Sequence, residues 1–200
     1  MKKIIVFLII ICVVGVFVYN NSVASENIIK DEVISKNINE VQSVQIIQQE
    51  EKEYYYNIPL DKKYQDFIKR ECNKYNLSET LVLAIIKTES EFNINAVSNN
   101  KQDVGLFQLN SGTWPFIAKE LDIHSFNPHN PEHNIIAGVW YLNYLKEHFR
   151  QKEMCDEDVF TNMIMSYNMG IRGSREYINR GGYNNRYLRN VINNKVELEQ

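Results

Sequence analysis

The sequence lacks a large excess of either charge, since 22 Lys and Arg residues stand against 25 Asp and Glu residues, a net charge of −3. Overall charge therefore does not indicate binding to nucleic acid or to an acidic surface. Cysteine is also scarce: there are three, and none forms a C-x-x-C pair typical of a redox or zinc site. Cys72 and Cys155 lie far apart in the sequence, which does not indicate that they approach within disulfide distance.

Runs of alternating apolar and polar residues, which are typical of half-buried strands, are missing as well. Between Leu60 and Ile192, apolar residues instead recur at helical spacing in several separate segments. The sequence therefore predicts a mainly α-helical domain, with several helices around a buried central one.

The N-terminus differs from the rest of the chain. Met1-Lys2-Lys3 precedes an uncharged apolar run, residues 4–19, and Ser22-Val23-Ala24 offers a small-residue cleavage site. The run is slightly long for a signal-peptide core and slightly short for a membrane-spanning helix, so residues 1–24 are predicted to be a membrane anchor or a signal peptide. Either one exports the rest of the protein. Residues 25–57 are polar and predict a linker or stalk, followed by a folded domain in 58–200.

The central helix is expected at Leu81–Phe92, which opens with six consecutive apolar residues. Asn76 and Glu79 have the spacing of a capping box before it. The helical stripe that starts at Val82 and passes through Ile86 ends in a carboxylate, Glu89. Desolvation on an apolar stripe raises a carboxyl pKa toward the range of a general acid, although the same residue could be the solvated end of the helix.

Capping residues and breakers predict the remaining elements. Asn93–Asp103 is expected to be a loop, and the segment from Gly105 to Asn110 is too short to assign. Helices are expected after Leu60, from Ser111 or Thr113 to Leu121, from Asn130-Pro131 onward, from Asp156 to a stop at Gly170, and near Tyr187 to Ile192.

Four motifs then occur in order: Glu89-Ser90, Gly105-Leu106-Phe107-Gln108, the helix start Asn130-Pro131-Glu132-His133-Asn134-Ile135-Ile136-Ala137-Gly138, and Ser166-Tyr167-Asn168-Met169-Gly170. Together with the segment Phe92 to Ser98, they resemble the soluble lytic transglycosylase (SLT) domain of the lysozyme-like superfamily. The resemblance covers roughly Leu60 to Asn194. It implies a lysozyme-like catalytic domain in 58–200.

The resemblance also implies cleavage of the β-1,4 bond between N-acetylmuramic acid and N-acetylglucosamine in peptidoglycan, leaving 1,6-anhydromuramoyl ends. Glu89 falls on the family's single catalytic glutamate. Five further residues fall on positions that line the family's glycan groove or, for the last, on a tyrosine in its final helix. These expected substrate-binding residues are Ser98, Gln108, Tyr167, Asn168 and Tyr187. Neither a cofactor nor a metal is expected.

The sequence departs from the family pattern in two places. Phe107 replaces a commoner methionine, which keeps an apolar wall, and the loop from Ser98 to Gly105 is about one residue longer and carries Asp103. Asp103 could simply hold the loop, or it could be a second carboxylate that orients a water, which would make the enzyme a hydrolytic muramidase.

Three other interpretations remain to be weighed. His129 and His133 are separated by a proline at a helix start, so a shared metal site is poorly supported. Arg172 to Lys195 mixes arginine with tyrosine like a nucleic-acid surface, but export and the lack of net positive charge argue against nucleic acid. A non-catalytic wall-binding accessory of a secretion or conjugation machine is the main non-enzyme alternative. Peptidoglycan strands are the expected partner, with the membrane a second one if the N-terminal segment is retained.

Overall fold

The computed structural model of the chain describes residues 54–152, 154–183 and 185–200. These residues form six helices and one short antiparallel ribbon, which confirms the predicted mainly helical fold. The predicted N-terminal segment (residues 1–24) and residues 25–53 of the predicted linker lie outside the described residues. No helix within the described ranges combines the length and the apolar character that a membrane crossing requires. The elements are α1 (Lys62–Tyr75), α2 (Glu79–Ser90), β1 (Asp103–Val104), β2 (Leu109–Asn110), α3 (Trp114–Glu120), α4 (Pro131–Arg150), α5 (Asp156–Asn179) and α6 (Arg186–Leu198).

Helix α2 is the buried central helix, and all six of its opening apolar residues, Leu81–Ile86, are at most 5% exposed. Its cap differs from the predicted one. Ser78 caps α2, with its Oγ accepting a hydrogen bond from the Leu81 amide at 3.3 Å. Asn76 instead ends α1 in the left-handed conformation, at φ 48°, which asparagine tolerates better than most residues. Asn76 was therefore assigned to the wrong helix.

Helix α4 begins as predicted. The Asn130 side chain accepts hydrogen bonds from the amides of Glu132 and His133, and Pro131 occupies the first helical position. One face of α4 is buried against the core, and Gly138 on that face lies against the Phe107 ring. A Cβ at Gly138 would come within 2.2 Å of that ring, so only glycine allows this approach. The close contact fixes the segment Gly105–Gln108 against α4.

Two helices run further than predicted. Gly170 interrupts α5, with φ 75° and ψ 159°, but the helix resumes and continues to Asn179. Helix α6 extends to Leu198 rather than ending near Ile192, and the Asn185 side chain caps it by accepting from the Leu188 amide at 2.7 Å. The unassigned segment divides into a turn, Gly105–Gln108, and strand β2, which pairs with β1 through Asp103 with Asn110 and Val104 with Leu109.

The histidine and cysteine side chains that were considered for a metal site or a disulfide make other contacts or are free. His133 Nδ1 accepts a hydrogen bond from the Asn127 amide at 3.1 Å, and its ring stacks on Phe126. Cys72 is buried, Cys155 is exposed, and both are free thiols. Within the described ranges, no three His, Cys, Asp or Glu side chains are grouped in a way that could hold a metal ion.

Candidate active site

A cleft of about 390 Å³ lies where the end of α2 meets the β1–β2 ribbon, α4 and the interruption in α5. Its lining combines carboxylates, amides, hydroxyls and aromatic rings, and it contains no lysine, arginine or histidine among the described residues. Such a surface provides both hydrogen-bonding groups and ring faces, which suits an uncharged polar ligand. The lining residues are Glu89, Asp103, Gln108, Leu109, Asn110, Thr113, Tyr141, Tyr167, Asn168 and Gly170.

Glu89 lies one residue before the end of α2 and is half-buried in this cleft. The Tyr187 hydroxyl, supplied by α6, donates a hydrogen bond to Glu89 Oε1 at 2.5 Å. Burial raises the pKa of Glu89 from 4.5 to about 7, the Tyr187 hydrogen bond works against that rise, and the charge of Asp103 adds to it. Glu89 is therefore close to half-protonated near neutral pH, and the described contacts engage only one of its two carboxyl oxygens.

The turn Gly105–Gln108, whose last residue lines the cleft, is held from several sides. The Ser90 hydroxyl donates to Leu106 O at 2.9 Å, which links this turn to the end of α2. The Gln108 amide nitrogen donates to Ala96 O at 3.2 Å and to Gly105 O at 2.9 Å. Because Nε2 is engaged by the backbone, the described contacts leave the amide oxygen of Gln108 as the group available to a ligand.

The turn is also anchored to α4 through Asn134, which is fully buried. Its Oδ1 accepts a hydrogen bond from the Phe107 amide, and its Nδ2 donates to Val104 O and Pro128 O, each at 2.9 Å. One side chain thus hydrogen-bonds to two buried backbone groups, the Phe107 amide and Val104 O, and to the half-buried Pro128 O.

Tyrosine side chains form another part of the cleft. The Tyr167 hydroxyl donates to Phe107 O at 2.7 Å, and the Tyr141 ring lies 5.8 Å from the Tyr167 ring, centre to centre. Burial, together with the negative charge of Glu89, raises the pKa of Tyr167 well above 10, so this phenol stays neutral. Asn168, the next residue along α5, is exposed and lines the cleft at the helix interruption.

Asp103 lies in the same cleft as Glu89 and is fixed by its neighbours. Asn110 pairs with Asp103 in the ribbon, and its side-chain Nδ2 donates a hydrogen bond to Asp103 Oδ1 at 2.6 Å. The Asp103 backbone amide donates to Ser98 Oγ at 3.0 Å, and Asp103 O accepts from the Ser98 amide at 2.9 Å. Ser98 therefore holds the residue that carries the second carboxylate, and it does not itself line the cleft.

The structure thus brings four of the six predicted site residues, Glu89, Gln108, Tyr167 and Asn168, into the lining of one cleft. Tyr187 reaches the site through its hydrogen bond to Glu89, and Ser98 lies behind Asp103. Sequence reasoning missed Asn110, Thr113 and Tyr141, which also line the cleft. Tyr141 had a usable signal, because it follows Asn134 by seven residues and Gly138 by three and so shares their face of α4.

The domain is mainly helical, and Glu89, whose pKa burial raises to about 7, lies near the end of its buried central helix, as the resemblance to lysozyme-like domains implies. Residues 66–190 match the family model described as the transglycosylase SLT domain. The chain belongs to this family.

Named relatives are similar over part of the chain. The membrane-bound lytic murein transglycosylase C of Yersinia pestis (strain Pestoides F) is 36% identical over 89 residues, or 42% of this chain and 25% of that protein. The protein of that name from Yersinia pseudotuberculosis serotype O:1b (strain IP 31758) matches to the same extent. The chain thus spans about a quarter of the length of these relatives.

Solved structures share the fold. The lytic transglycosylase Slt from Pseudomonas aeruginosa, solved as an inactive mutant, aligns with a TM-score of 0.58 at 21% identity, covering 72% of this chain and 24% of that one. The 70-kDa soluble lytic transglycosylase of Escherichia coli aligns with a TM-score of 0.55 at 23% identity, covering 66% of this chain and 23% of that one. At these identities the likeness concerns the fold.

Proposed function

We propose that the protein is a peptidoglycan lytic transglycosylase, which cleaves the β-1,4 bond between N-acetylmuramic acid and N-acetylglucosamine and leaves 1,6-anhydromuramoyl ends. The observation that carries this proposal is Glu89, a half-buried carboxyl group in a polar and aromatic cleft, with its pKa raised to about 7 by burial. Membership of the SLT family and the names of the relatives support the substrate class. Analysis of the products from purified peptidoglycan tests the proposal.

In the proposed reaction Glu89 acts twice. As a neutral acid it donates its proton to the glycosidic oxygen, so that the bond from this oxygen to the anomeric carbon breaks and the oxygen leaves as a hydroxyl group of the departing sugar. The N-acetyl carbonyl of the muramic acid stabilises the positive charge that forms at that carbon. The Glu89 carboxylate then takes the proton from the 6-hydroxyl of the same sugar, whose oxygen bonds to the anomeric carbon and closes the anhydro ring. One group can serve as acid and then base because its pKa lies close to the working pH.

The other lining residues position the glycan in this proposal. Gln108 offers its amide oxygen to sugar hydroxyls, and exposed Asn168 offers both a donor and an acceptor to the N-acetyl group. Tyr141 and Tyr167 supply ring surface in the cleft. Ser98 was expected to bind the N-acetyl group directly; its contacts with Asp103 and Asn100 favour a role in holding the loop.

Replacing Tyr187 with Phe tests how the site sets the acidity of Glu89. The Tyr187 hydroxyl stabilises the Glu89 carboxylate and so lowers its pKa; its removal should raise that pKa. Since the reaction starts from protonated Glu89, the alkaline limb of the kcat/KM profile should move to higher pH in Tyr187→Phe. Tyr183→Phe, which removes an exposed phenol hydroxyl, is the control and should leave the limb in place. A limb that does not move in Tyr187→Phe would contradict the assigned hydrogen bond.

Hydrolysis by a muramidase mechanism is the second candidate, and it is favoured by one observation: Asp103 lines the same cleft as Glu89 and has one carboxyl oxygen outside the described hydrogen bonds. A carboxylate in this place could orient a water for attack on the anomeric carbon. Asp103→Asn keeps a similar shape and removes the charge. If ring closure is the main route, this variant should still release anhydro ends, with their fraction among all products unchanged. If wild type releases reducing muramic ends and Asp103→Asn does not, Asp103 directs hydrolysis.

The location of the activity follows from the same proposal. Peptidoglycan lies outside the cytoplasmic membrane, so we propose that residues 1–24 export residues 58–200 as an anchor or a cleaved signal, with residues 25–57 as a linker. The wall glycan is the proposed partner. If the protein belonged to a secretion or conjugation machine, it would still need to cleave the wall locally. A protein that only binds the wall would have no use for a carboxyl group with the raised pKa of Glu89.

A further inference from the structure

The final helix, α6, continues beyond the part of the chain that matches the SLT family. The family match ends at residue 190, whereas α6 runs from Arg186 to Leu198. Helix α6 lies antiparallel to α2: Tyr187, near its start, contacts Glu89, near the end of α2, and Glu199, just past its end, accepts a hydrogen bond from Thr80 near the start of α2. The second half of α6 therefore lies along the helix that carries the proposed acid.

One contact in this second half lies directly beside the acid. The Asn194 Nδ2 donates a hydrogen bond to Thr88 Oγ1 at 2.9 Å, and Thr88 is the residue before Glu89. Thr88 Oγ1 in turn donates its own proton to Ala84 O at 2.8 Å. Because the Thr88 proton is already used within α2, its hydroxyl can only accept from Asn194, which gives this contact a fixed direction.

Asn194 and Tyr187 lie on the same side of α6. They are seven residues apart, two helical turns, and Val191 between them is fully buried. The apolar contacts of Leu188 and Val191 hold α6 against the core, but such contacts have little directional preference. A hydrogen bond between Asn194 and Thr88 can set where α6 stops along α2, and hence where the Tyr187 hydroxyl lies.

We propose that Asn194, through Thr88, is a positioning residue that sets the register of α6 on α2 and thereby holds the Tyr187 hydroxyl on Glu89. Asn194 does not line the cleft and touches no reacting atom. It acts through Tyr187, at a distance of two helical turns, from a stretch of the chain outside the family match. The consequence for catalysis rests on the function proposed above, whereas the consequence for the Glu89–Tyr187 contact does not.

The test measures the titration of the Glu89 carboxyl carbon by NMR, which needs no substrate. Besides burial, two neighbouring groups influence this titration: the Tyr187 hydroxyl from α6 and the Asp103 carboxylate from β1. Tyr167 from α5 lies in the same cleft but stays neutral. Asn194→Ala and Thr88→Val should each raise the pKa of Glu89, in the direction expected for Tyr187→Phe and by a smaller amount, because the Tyr187 hydrogen bond weakens. Thr88→Ser keeps the hydroxyl and should restore the wild-type titration.

A double variant separates positioning from general loosening. If Asn194 acts through Tyr187, adding Asn194→Ala to Tyr187→Phe should not change the Glu89 titration further. Glu197→Gln is the matched control on the same helix, since it removes an ion pair with Lys87 in which Glu197 is 68% exposed. Such exposed pairs contribute little, so Glu197→Gln should titrate as wild type does.

On peptidoglycan, Asn194→Ala should lower kcat about fivefold with little change in KM, because the Tyr187 hydrogen bond stabilises the carboxylate that forms as Glu89 gives up its proton. Titrations of Asn194→Ala and Thr88→Val that match Glu197→Gln would overturn the proposal, as would an additive effect in the double variant. A wild-type protein that titrates as expected but does not cleave peptidoglycan would refute the proposed function and leave the positioning role standing.

Discussion

Glu89→Gln should lose peptidoglycan cleavage by a factor on the order of 10³ or more, the upper range for removing a general acid. The glutamine amide is nearly the same size as the carboxyl group and can still accept the Tyr187 hydrogen bond, but it cannot donate a proton to the glycosidic oxygen or take one from the 6-hydroxyl. The measurement is the rate of release of soluble muropeptides from purified peptidoglycan, with circular dichroism to confirm the fold.

The same variant makes a prediction about stability with a definite sign. Burial raises the pKa of Glu89 from its ordinary value of 4.5 to about 7 in the folded protein. The folded state therefore binds this proton more tightly, and the contribution of Glu89 to the stability of wild type should fall as pH rises from about 4.5 to 7. Glutamine does not ionise, so Glu89→Gln should be at least as stable as wild type above pH 7. A variant that is inactive because it unfolds would contradict this account, as would one that retains full activity.

Asn134→Ala should destabilise the domain by about 3 to 5 kcal/mol, because two buried backbone groups and one half-buried backbone group lose their partner at once. The Phe107 amide, Val104 O and Pro128 O would all be left without the hydrogen bonds that Asn134 provides. Since Phe107 O accepts the Tyr167 hydroxyl and Gln108 follows Phe107, the cleft wall should loosen as well. Urea unfolding at equilibrium, with cleavage measured well below the midpoint, checks both effects.

Asn162→Ala provides the matched control for that prediction. Asn162 is also a buried asparagine, but its side chain makes one local hydrogen bond, from Nδ2 to Asp158 O at 2.8 Å within α5. Its loss should cost about 1 kcal/mol and leave cleavage intact. Equal losses in Asn134→Ala and Asn162→Ala would show that burial alone, and not the anchoring of the turn, determines the cost.

The parts of the fold that depend on local sequence were predictable. The run Leu81–Ile86 identified the buried helix, and Asn130-Pro131 identified the start of α4, because caps and periodicity act over one or two turns. The place of Glu89 near the end of an apolar stripe followed from the same local rule. Asn76 was misassigned because two helix ends lie within four residues, and a residue able to cap one can also end the other.

The long-range hydrogen bonds that hold the site in place could not be predicted from local sequence. Asn134 meets Phe107 across 27 residues of sequence, and Tyr187 meets Glu89 across 98. Contacts over such separations depend on how α4 and α6 pack, which no local pattern specifies. The predicted place of Tyr187 came only from the family resemblance, and Tyr141 was overlooked although its helical stripe pointed to the cleft. Ser98 was expected from the family resemblance to bind the glycan, but it does not line the cleft.

Mass spectrometry of the muropeptides released from purified peptidoglycan tests the central claim most directly. It detects both the cleavage of the glycosidic bond and the formation of the anhydro ring, the two steps proposed for Glu89. Wild-type protein should release fragments with 1,6-anhydromuramoyl ends, and Glu89→Gln should release none above the background without enzyme. Fragments that end mainly in reducing muramic acid, or anhydro fragments from Glu89→Gln at the wild-type rate, would contradict the account.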